Sequence, residues 1–478
     1  MRPIKEVNTV LNAQGYSLET SIIEVMKEFN FKTLIHRAGI AKACGYSIAA
    51  ILTLVLMLPL MLLENTHQFY KSHYAKEEHM KKDTIYRMKN NPNYPWRRLL
   101  YAVAKAFRKL AGKTTSGSSS GVTALILDDT TDSRVGYKME NISHVFDHVI
   151  RKTVYGYKIL VLSFFDGTTN HPLDFSIHTE KPLAAKKRRK QFKKDVDPRS
   201  PGGKRRKEAH TTKIRQAIAM IKRAAKNGFV PDYVLCDSWF TCEELIKAIR
   251  DTARGKIHLI AGVPNGNRKY GYKDGLFNAK EITAMLKKSG KVHRCRKWNT
   301  RYMEAVVEYK GAGPLKMFIS RYPGQKKWRV FVTTNAGLSY VQMMEVYGIR
   351  WTIEVLFREC KQRLLLGKCQ SNDFDAQIAS TTITFILYTF LSHLKRQRDY
   401  TTLGDVLLLI QEDVCEKNLA QRLFDLFEAL LELAINTISQ DGSIDISQFK
   451  NSPEWQYIRQ VLSSSFLFEQ MDSVDNAA

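Results

Sequence analysis

The chain has 478 residues, room for about three domains at roughly 150 residues each, and its 44% hydrophobic content excludes a disordered polypeptide. Its 74 Lys and Arg against 47 Asp and Glu leave a formal charge of +27. That excess calls for a polyanionic partner, with nucleic acid the first candidate and an anionic membrane surface the second, and it exceeds what solubility alone requires. Seven cysteines, an odd number with no C-x-x-C, indicate neither a disulfide framework nor a structural zinc site and fit a reducing compartment best.

In chain order, residues 1–115 read as helical. Ile22, Ile23, Val25, Met26 and Phe29 recur at helical spacing. From Ile48 to Leu63 only Thr53 and Pro59 interrupt apolar side chains. The run is about four residues short of a comfortable membrane span and holds a proline, so it reads as a buried core helix, with no membrane partner expected. After a polar break at residues 90–95, Trp96 opens a basic helix. Thr114 to Gly121, all Ser, Gly and Thr with no apolar residue, marks a boundary.

Strand-like runs follow: Val122–Leu127 ending in Asp128-Asp129, then Tyr157–Phe165 and Leu173–His178. Lys186–Arg215 carries 14 Lys and Arg against three acids. Composition leaves two readings open there, a solvated loop or a phosphate-contacting arm. A helix is expected over about His210 to Asn227, then a buried strand Tyr233–Cys236 followed by Asp237. Thr241 and Glu244 have capping-box spacing, which predicts a helix start near Thr241. Residues 256–335 are strand- and turn-rich, with pieces such as Ile257–Ile260 and Trp328–Thr333. A helix begins near Ser339, and residues 374–435 are strongly helical.

The segment Tyr347 to Lys361 places one acid in a stripe of cations. At about 100 degrees per residue, and taking Tyr347 as zero, Arg350 lies at about 300, Glu354 at about 340, Lys361 at about 320 and Arg358 at about 20 degrees. Ile349, Ile353 and Leu356 spread over the other side. Mixed charge on a helix is commonly a solvated, salt-bridged face. A metal-binding Glu354 with phosphate-binding cations beside it gives the same stripe. Asp128-Asp129 and Asp237 each end a run that reads as a buried strand, where a carboxylate is costly unless paired or bound to a cation. Three carboxylates meeting at strand ends could hold two Mg²⁺ ions about 3.5–4 Å apart. Ligation by oxygen alone favours Mg²⁺, with Mn²⁺ able to substitute, over zinc.

Tyr347, Arg350, Glu354 and Lys361 fit the Y-x2-R-x3-E-x6-K signature, and in these residues the chain resembles the bacterial insertion-sequence transposases of the DDE type. Asp128-Asp129-Thr130-Thr131 is similar to that family's first acidic motif and Asp237-Ser238-Trp239-Phe240 to its second, in the family's order. The likeness covers roughly residues 121–380, with a weaker one at Asp83–Arg87 and Trp96–Arg98. It implies an α/β fold: an RNase H-like mixed-sheet catalytic core at 121–255 and 336–380, a strand-rich insertion at 256–335, and helical flanks at 1–115 and 381–478. It further implies a cut-and-paste transposase with Asp129, Asp237 and Glu354 as catalytic metal ligands for two Mg²⁺. The aspartate before a Thr in the family pattern points to Asp129 over Asp128, which strand alternation alone leaves open.

Related members release ends through a hairpin. In that route Tyr347, Arg350 and Lys361 contact phosphates near a flipped base, and an aromatic of the insertion, Trp328 ahead of Trp298, stacks on it. The implied partners are double-stranded DNA, as terminal inverted repeats and target, and a second copy of the chain on DNA. The implied location is the bacterial cytoplasm, at the nucleoid. Two other readings compete: a non-catalytic, domesticated or decayed DNA-binding protein, and a stand-alone nuclease with the same core.

Overall fold

The computed structural model describes residues 21–75, 80–114, 121–264 and 266–415, with a few positions beyond (427, 450–453, 455 and 456). The chain divides into two compact units. One takes Met1–Thr114, Glu359–Ser371 and Asp375–Ala478; the other takes Thr115–Arg358 with Asn372–Phe374. Most of the Ser/Gly/Thr boundary segment, and most of the expected helical region past 415, lie outside the described residues.

The first unit is helical. It contains α1 (Ser21–Glu28), α2 (Phe31–Ala38), α3 (Ile48–Met57), α4 (Thr66–Lys71), α5 (Lys82–Lys89) and α6 (Trp96–Thr114). The helical spacing of Ile22, Ile23, Val25 and Met26 becomes the buried face of α1. The apolar run beginning at Ile48 forms α3, whose first turn is capped by Ser47, the hydroxyl accepting from the Ala50 N–H at 3.1 Å. Nine of its ten residues are buried, and a helix apolar all round is one enclosed on all sides. Among the described residues no helix is long and apolar enough to cross a membrane.

The second unit is built on one twelve-stranded sheet. β1 (Ala124–Arg134), β2 (Ser143–Asp147), β3 (Lys152–Phe165) and β4 (Asn170–His178) are followed by three helices, α7 (Ala185–Arg188), α8 (Pro201–Ala209) and α9 (Lys213–Lys226). Next come β5 (Tyr233–Cys236), α10 (Glu243–Asp251) and β6 (His258–Val263). β1 runs antiparallel to β3, and β3 antiparallel to both β2 and β4. β5 lies parallel to β1 on its other side, and β6 parallel to β5. Three antiparallel strands continued by two parallel ones, with helical crossovers, make an RNase H-like core. The parallel pairs need a helix between them to return the chain, and α9 and α10 supply it.

The expected insertion is strand-rich. It comprises β7 (Lys269–Tyr272), β8 (Gly275–Asn278), α11 (Ala279–Lys288), β9 (His293–Cys295), β10 (Thr300–Tyr309), β11 (Gly313–Arg321) and β12 (Arg329–Thr333). It is not a separate sheet: β12 pairs antiparallel with β6, so the insertion prolongs the core sheet in the order β6-β12-β11-β10-β7-β8. Then α12 (Tyr340–Gly348) starts in a capping box of Ser339 and Gln342, and α13 (Trp351–Arg363) carries Glu354. α13 runs from the second unit into the first, and α14 (Phe374–Gln397) belongs almost wholly to the first. There Phe390 meets Phe29 and Phe31 edge-on, with centroids at 4.8 and 5.2 Å, and His393 bonds Glu28 at 2.8 Å.

Four sequence expectations change in detail. β1 does not stop at Asp128-Asp129 but continues to Arg134, because the long β3 goes on pairing with it after β5 has ended. The basic stretch 186–215 is partly helical and held in place: Arg206 pairs with Glu140 at 2.8 Å and with Asp373 at 3.5 Å, and Lys194 with Asp373 at 2.8 Å. Internal counter-charges order it. The helix after Asp237 begins at Glu243, and Thr241 is no cap. Its hydroxyl donates instead to the Gly262 carbonyl at 2.7 Å and the Asp237 carbonyl at 3.3 Å, tying the loop to β6. Finally, a turn at Ile349-Arg350 separates α12 from α13, so Tyr347 and Glu354 sit on two consecutive helices.

Candidate active site

β1 and β5 bring the two Asp motifs together. The last paired residues are Leu127 and Cys236. Asp128 and Asp237 therefore follow side by side on neighbouring parallel strands, with their side chains on the same face by alternation. The Asp237 carboxylate accepts the Trp239 N–H at 3.0 Å. Gly262 on the next strand leaves room for this loop. A Cβ there would stand 3.4 Å from both the Ser238 nitrogen and the Tyr347 hydroxyl oxygen.

Glu354 reaches the acids through Arg350. The guanidinium donates from Nη2 to Glu354 Oε1 at 2.6 Å and from Nη1 to Asp128 Oδ2 at 3.2 Å. Its carbon also lies 5.7 Å from the Tyr347 ring centroid. Asp128, Glu354, Arg350 and Tyr347 thus form one connected group with Asp237 alongside. Lys361 is on the same helix as Glu354, two turns on, in the part of α13 that belongs to the first unit.

Asp129 points the other way. Its Oδ2 lies 3.1 Å from Lys213 Nζ and 3.8 Å from Lys158 Nζ. Lys158 also donates to the Thr131 hydroxyl at 2.8 Å, two residues along the same strand face. The structure therefore sets Asp128 toward Glu354 and Asp129 toward two lysines. Both remain close enough to Asp237 for their charges to act on it or on each other.

Burial raises the acids. Asp128 is pushed up to about 7, chiefly by desolvation and then by the charges of Asp237 and Asp129, with the Asp129 N–H and Arg350 working against the shift. Asp237 is raised for the same leading reason, opposed by the Trp239 and Phe240 N–H groups. The Tyr347 phenol is pushed up to about 12 by burial, so it stays a neutral donor.

Among the described residues no group of three or more His, Cys, Asp or Glu is drawn in tightly enough to hold a metal ion. The donor set nevertheless fits a hard divalent cation. It offers carboxylate oxygens alone, burial and then the neighbouring acid charges hold the Asp128 carboxyl up at about 7, and a guanidinium bridges two of the acids where a cation would be stabilised. Beside Asp237 opens a cavity of about 790 Å³, lined by Tyr347, Arg350, Lys326, Lys327, Trp298 and Trp328 among others. Trp328 has Lys287 and Arg321 over its ring, each at 5.0 Å, whereas Trp298 is 36% exposed.

Sequence reasoning missed Lys158, Lys213 and Trp239. Lys158 carried a signal, a charge inside the apolar run Tyr157–Phe165, and it is buried in β3. Lys213 carried none, and Trp239 stood out only as part of the Asp237–Phe240 motif, since only tertiary packing brings α9 to the β5 loop.

Strand order and acid placement define an RNase H-like core with its acids where β5 ends. Residues 196–390 match the family described as "Transposase DDE domain", and residues 72–281 the one described as "DDE superfamily endonuclease". Both matches are to DDE-type transposase or endonuclease domains, so over these residues the chain is similar to that group. No curated protein sequence matches it. Among solved structures, the NurA nuclease from Sulfolobus solfataricus aligns over 70% of this chain and 98% of its own, at 10% identity and a TM-score of 0.25. The fold assignment rests on strand order and direction, not on that loose likeness.

Proposed function

We propose that this chain cuts DNA at the ends of a mobile element and joins the freed 3′-hydroxyls to a target, as a cut-and-paste transposase. The observation that carries the reading is the meeting of acids from β1, β5 and α13, with Arg350 spanning Asp128 and Glu354. Asp237, Glu354 and the Asp128-Asp129 pair, with Asp129 the member that the family pattern favours, would hold two Mg²⁺, or Mn²⁺ in their place. Bound there, such ions supply Lewis acidity to the scissile phosphate and to the attacking water or 3′-hydroxyl.

The chain's own residues do the positioning. Arg350 and Lys361 would hold phosphates of the DNA end, Arg350 through a planar fork suited to two oxygens. The Tyr347 phenol, kept neutral by burial, donates a hydrogen bond without adding charge. In a hairpin route the cavity beside Asp237 has the aromatic walls to receive an extruded base, at Trp298 or Trp328. Two ends must be held together, so a dimer on DNA is expected, acting at the bacterial nucleoid. The charge of +27 supports a duplex partner.

The test is incubation of the chain with DNA flanking its source gene and Mg²⁺, reading nicks, hairpins and joined products. Wild type should give strand-transfer products only with matched ends, and Glu354→Gln should bind those ends with unchanged affinity and give no products. Cutting without matched ends would mean a stand-alone nuclease. Binding with no Mg²⁺-dependent cutting would mean a DNA-binding protein, and loss of binding and folding in Glu354→Gln would make that residue structural.

A further inference from the structure

Two residues beyond Asp237, the indole of Trp239 stands 52% exposed. A large aromatic left in water next to a buried acid gains nothing for folding, yet several groups fix its position. Its backbone N–H donates to Asp237 Oδ1 at 3.0 Å. Its ring meets the fully buried Phe240 edge-on, with centroids 4.9 Å apart at 80°. The Lys213 ammonium lies 4.2 Å from its ring centroid, covering one face. Lys213 is itself held by Asp129 at 3.1 Å and Glu180 at 3.3 Å. The ring is thus braced from the backbone, from beneath and from one side, and its remaining surface is open.

We infer that Trp239, backed by Lys213, is a stacking platform for an unpaired nucleotide of the DNA strand that enters beside Asp237. The chemistry suits the ligand. Every base has a π-face, so stacking on a rigid indole tolerates any sequence, and a ring already fixed loses little freedom when a base lands on it. Trp239 is distinct from the cavity aromatics Trp298 and Trp328, which lie on the insertion side of Asp237. The inference rests on the DNA-cutting reading above.

The experiment measures binding of full-length protein, in EDTA, to a duplex of about 20 base pairs with a short oligothymidine 3′ overhang and to the same duplex blunt-ended. The lengths are chosen so that only the overhang offers unpaired bases to stack. Wild type should prefer the overhang. Trp239→Ala should lose about 5- to 150-fold of affinity for it, the range of one base–aromatic stack, with the blunt duplex unaffected. Trp239→Phe should retain most of the preference, which guards against misreading a folding defect.

Equal affinity of wild type for both probes, an unchanged overhang preference in Trp239→Ala, or equal weakening on both probes would each overturn the inference. None of these outcomes depends on cleavage. If wild type fails to cut with Mg²⁺ but shows the Trp239-dependent preference, the catalytic reading falls and the platform stands.

Discussion

Asp128 offers the sharpest test of the site, because its ionisation is set by its surroundings. Moved from 3.8 to about 7 in the folded chain, it holds a proton across a pH window in which the unfolded chain has released one. Folding therefore binds a proton there, and stability falls as pH rises from about 4 to about 7, then levels off. Between pH 5 and pH 8 the fall from this one group is about 3 kcal/mol, at 1.36 kcal/mol for each pH interval of one up to about 7. Asp128→Asn replaces the carboxyl by a neutral group of the same shape, so it should remove that fall.

Thermal unfolding of both proteins in EDTA at pH 5 and pH 8 checks this. The variant should gain on wild type by several degrees in Tm on going to pH 8, given roughly 2–4 °C per kcal/mol for a unit of this size. The 3.2 Å contact with Arg350 strengthens as Asp128 ionises, and the folded-state value of about 7 already includes that attraction. Added Mg²⁺ at pH 8 should then raise the wild-type Tm more than the variant's, since a ligand stabilises only the state that binds it. A Tm difference that is the same at both pH values would refute the argument. So would a wild type that gains on the variant as pH rises.

Three further single substitutions probe the framework. Gly156→Ala would place a Cβ 2.3 Å from the backbone oxygen of Asp132, which the paired strand cannot move, so a loss of about 2–3 kcal/mol is expected; Gly262→Ala, with nothing nearer than 3.4 Å, should leave Tm nearly unchanged. Arg223→Ala removes the cation 2.9 Å from the fully buried Asp174, whose Oδ1 keeps the Phe175 N–H, and should cost about 1–3 kcal/mol; urea unfolding should show part of it restored when Asp174→Asn is added.

Much of the chemistry was legible in the sequence because it depends on local order along the chain. Arg350 still touches both Glu354 and the Tyr347 ring although a turn at Ile349-Arg350 divides the expected helix. The strand at Tyr233–Cys236 appears with the bounds its apolar run predicts. The run at Ile48 is a core helix because its length cannot span a bilayer. Where signals were local but ambiguous, packing decided. Thr241 has a cap's spacing, yet its hydroxyl finds the Gly262 carbonyl on another strand. The basic stretch has a disordered chain's composition, yet Glu140 and Asp373 fix it from distant positions.

The sequence by itself thus determined the residue types of the site, their order, and the charge that selects a nucleic-acid partner, because periodicity and composition are properties of neighbours in the chain. Only the tertiary structure decided which member of the Asp128-Asp129 pair faces Glu354, and that Lys158, Lys213 and Trp239 gather behind the other. Alternation says that two adjacent residues on a strand point to opposite faces, but which face receives α13 and which receives α9 is fixed by strand order and by the helices laid across the sheet. Those depend on contacts between residues far apart in the chain, which no local pattern records.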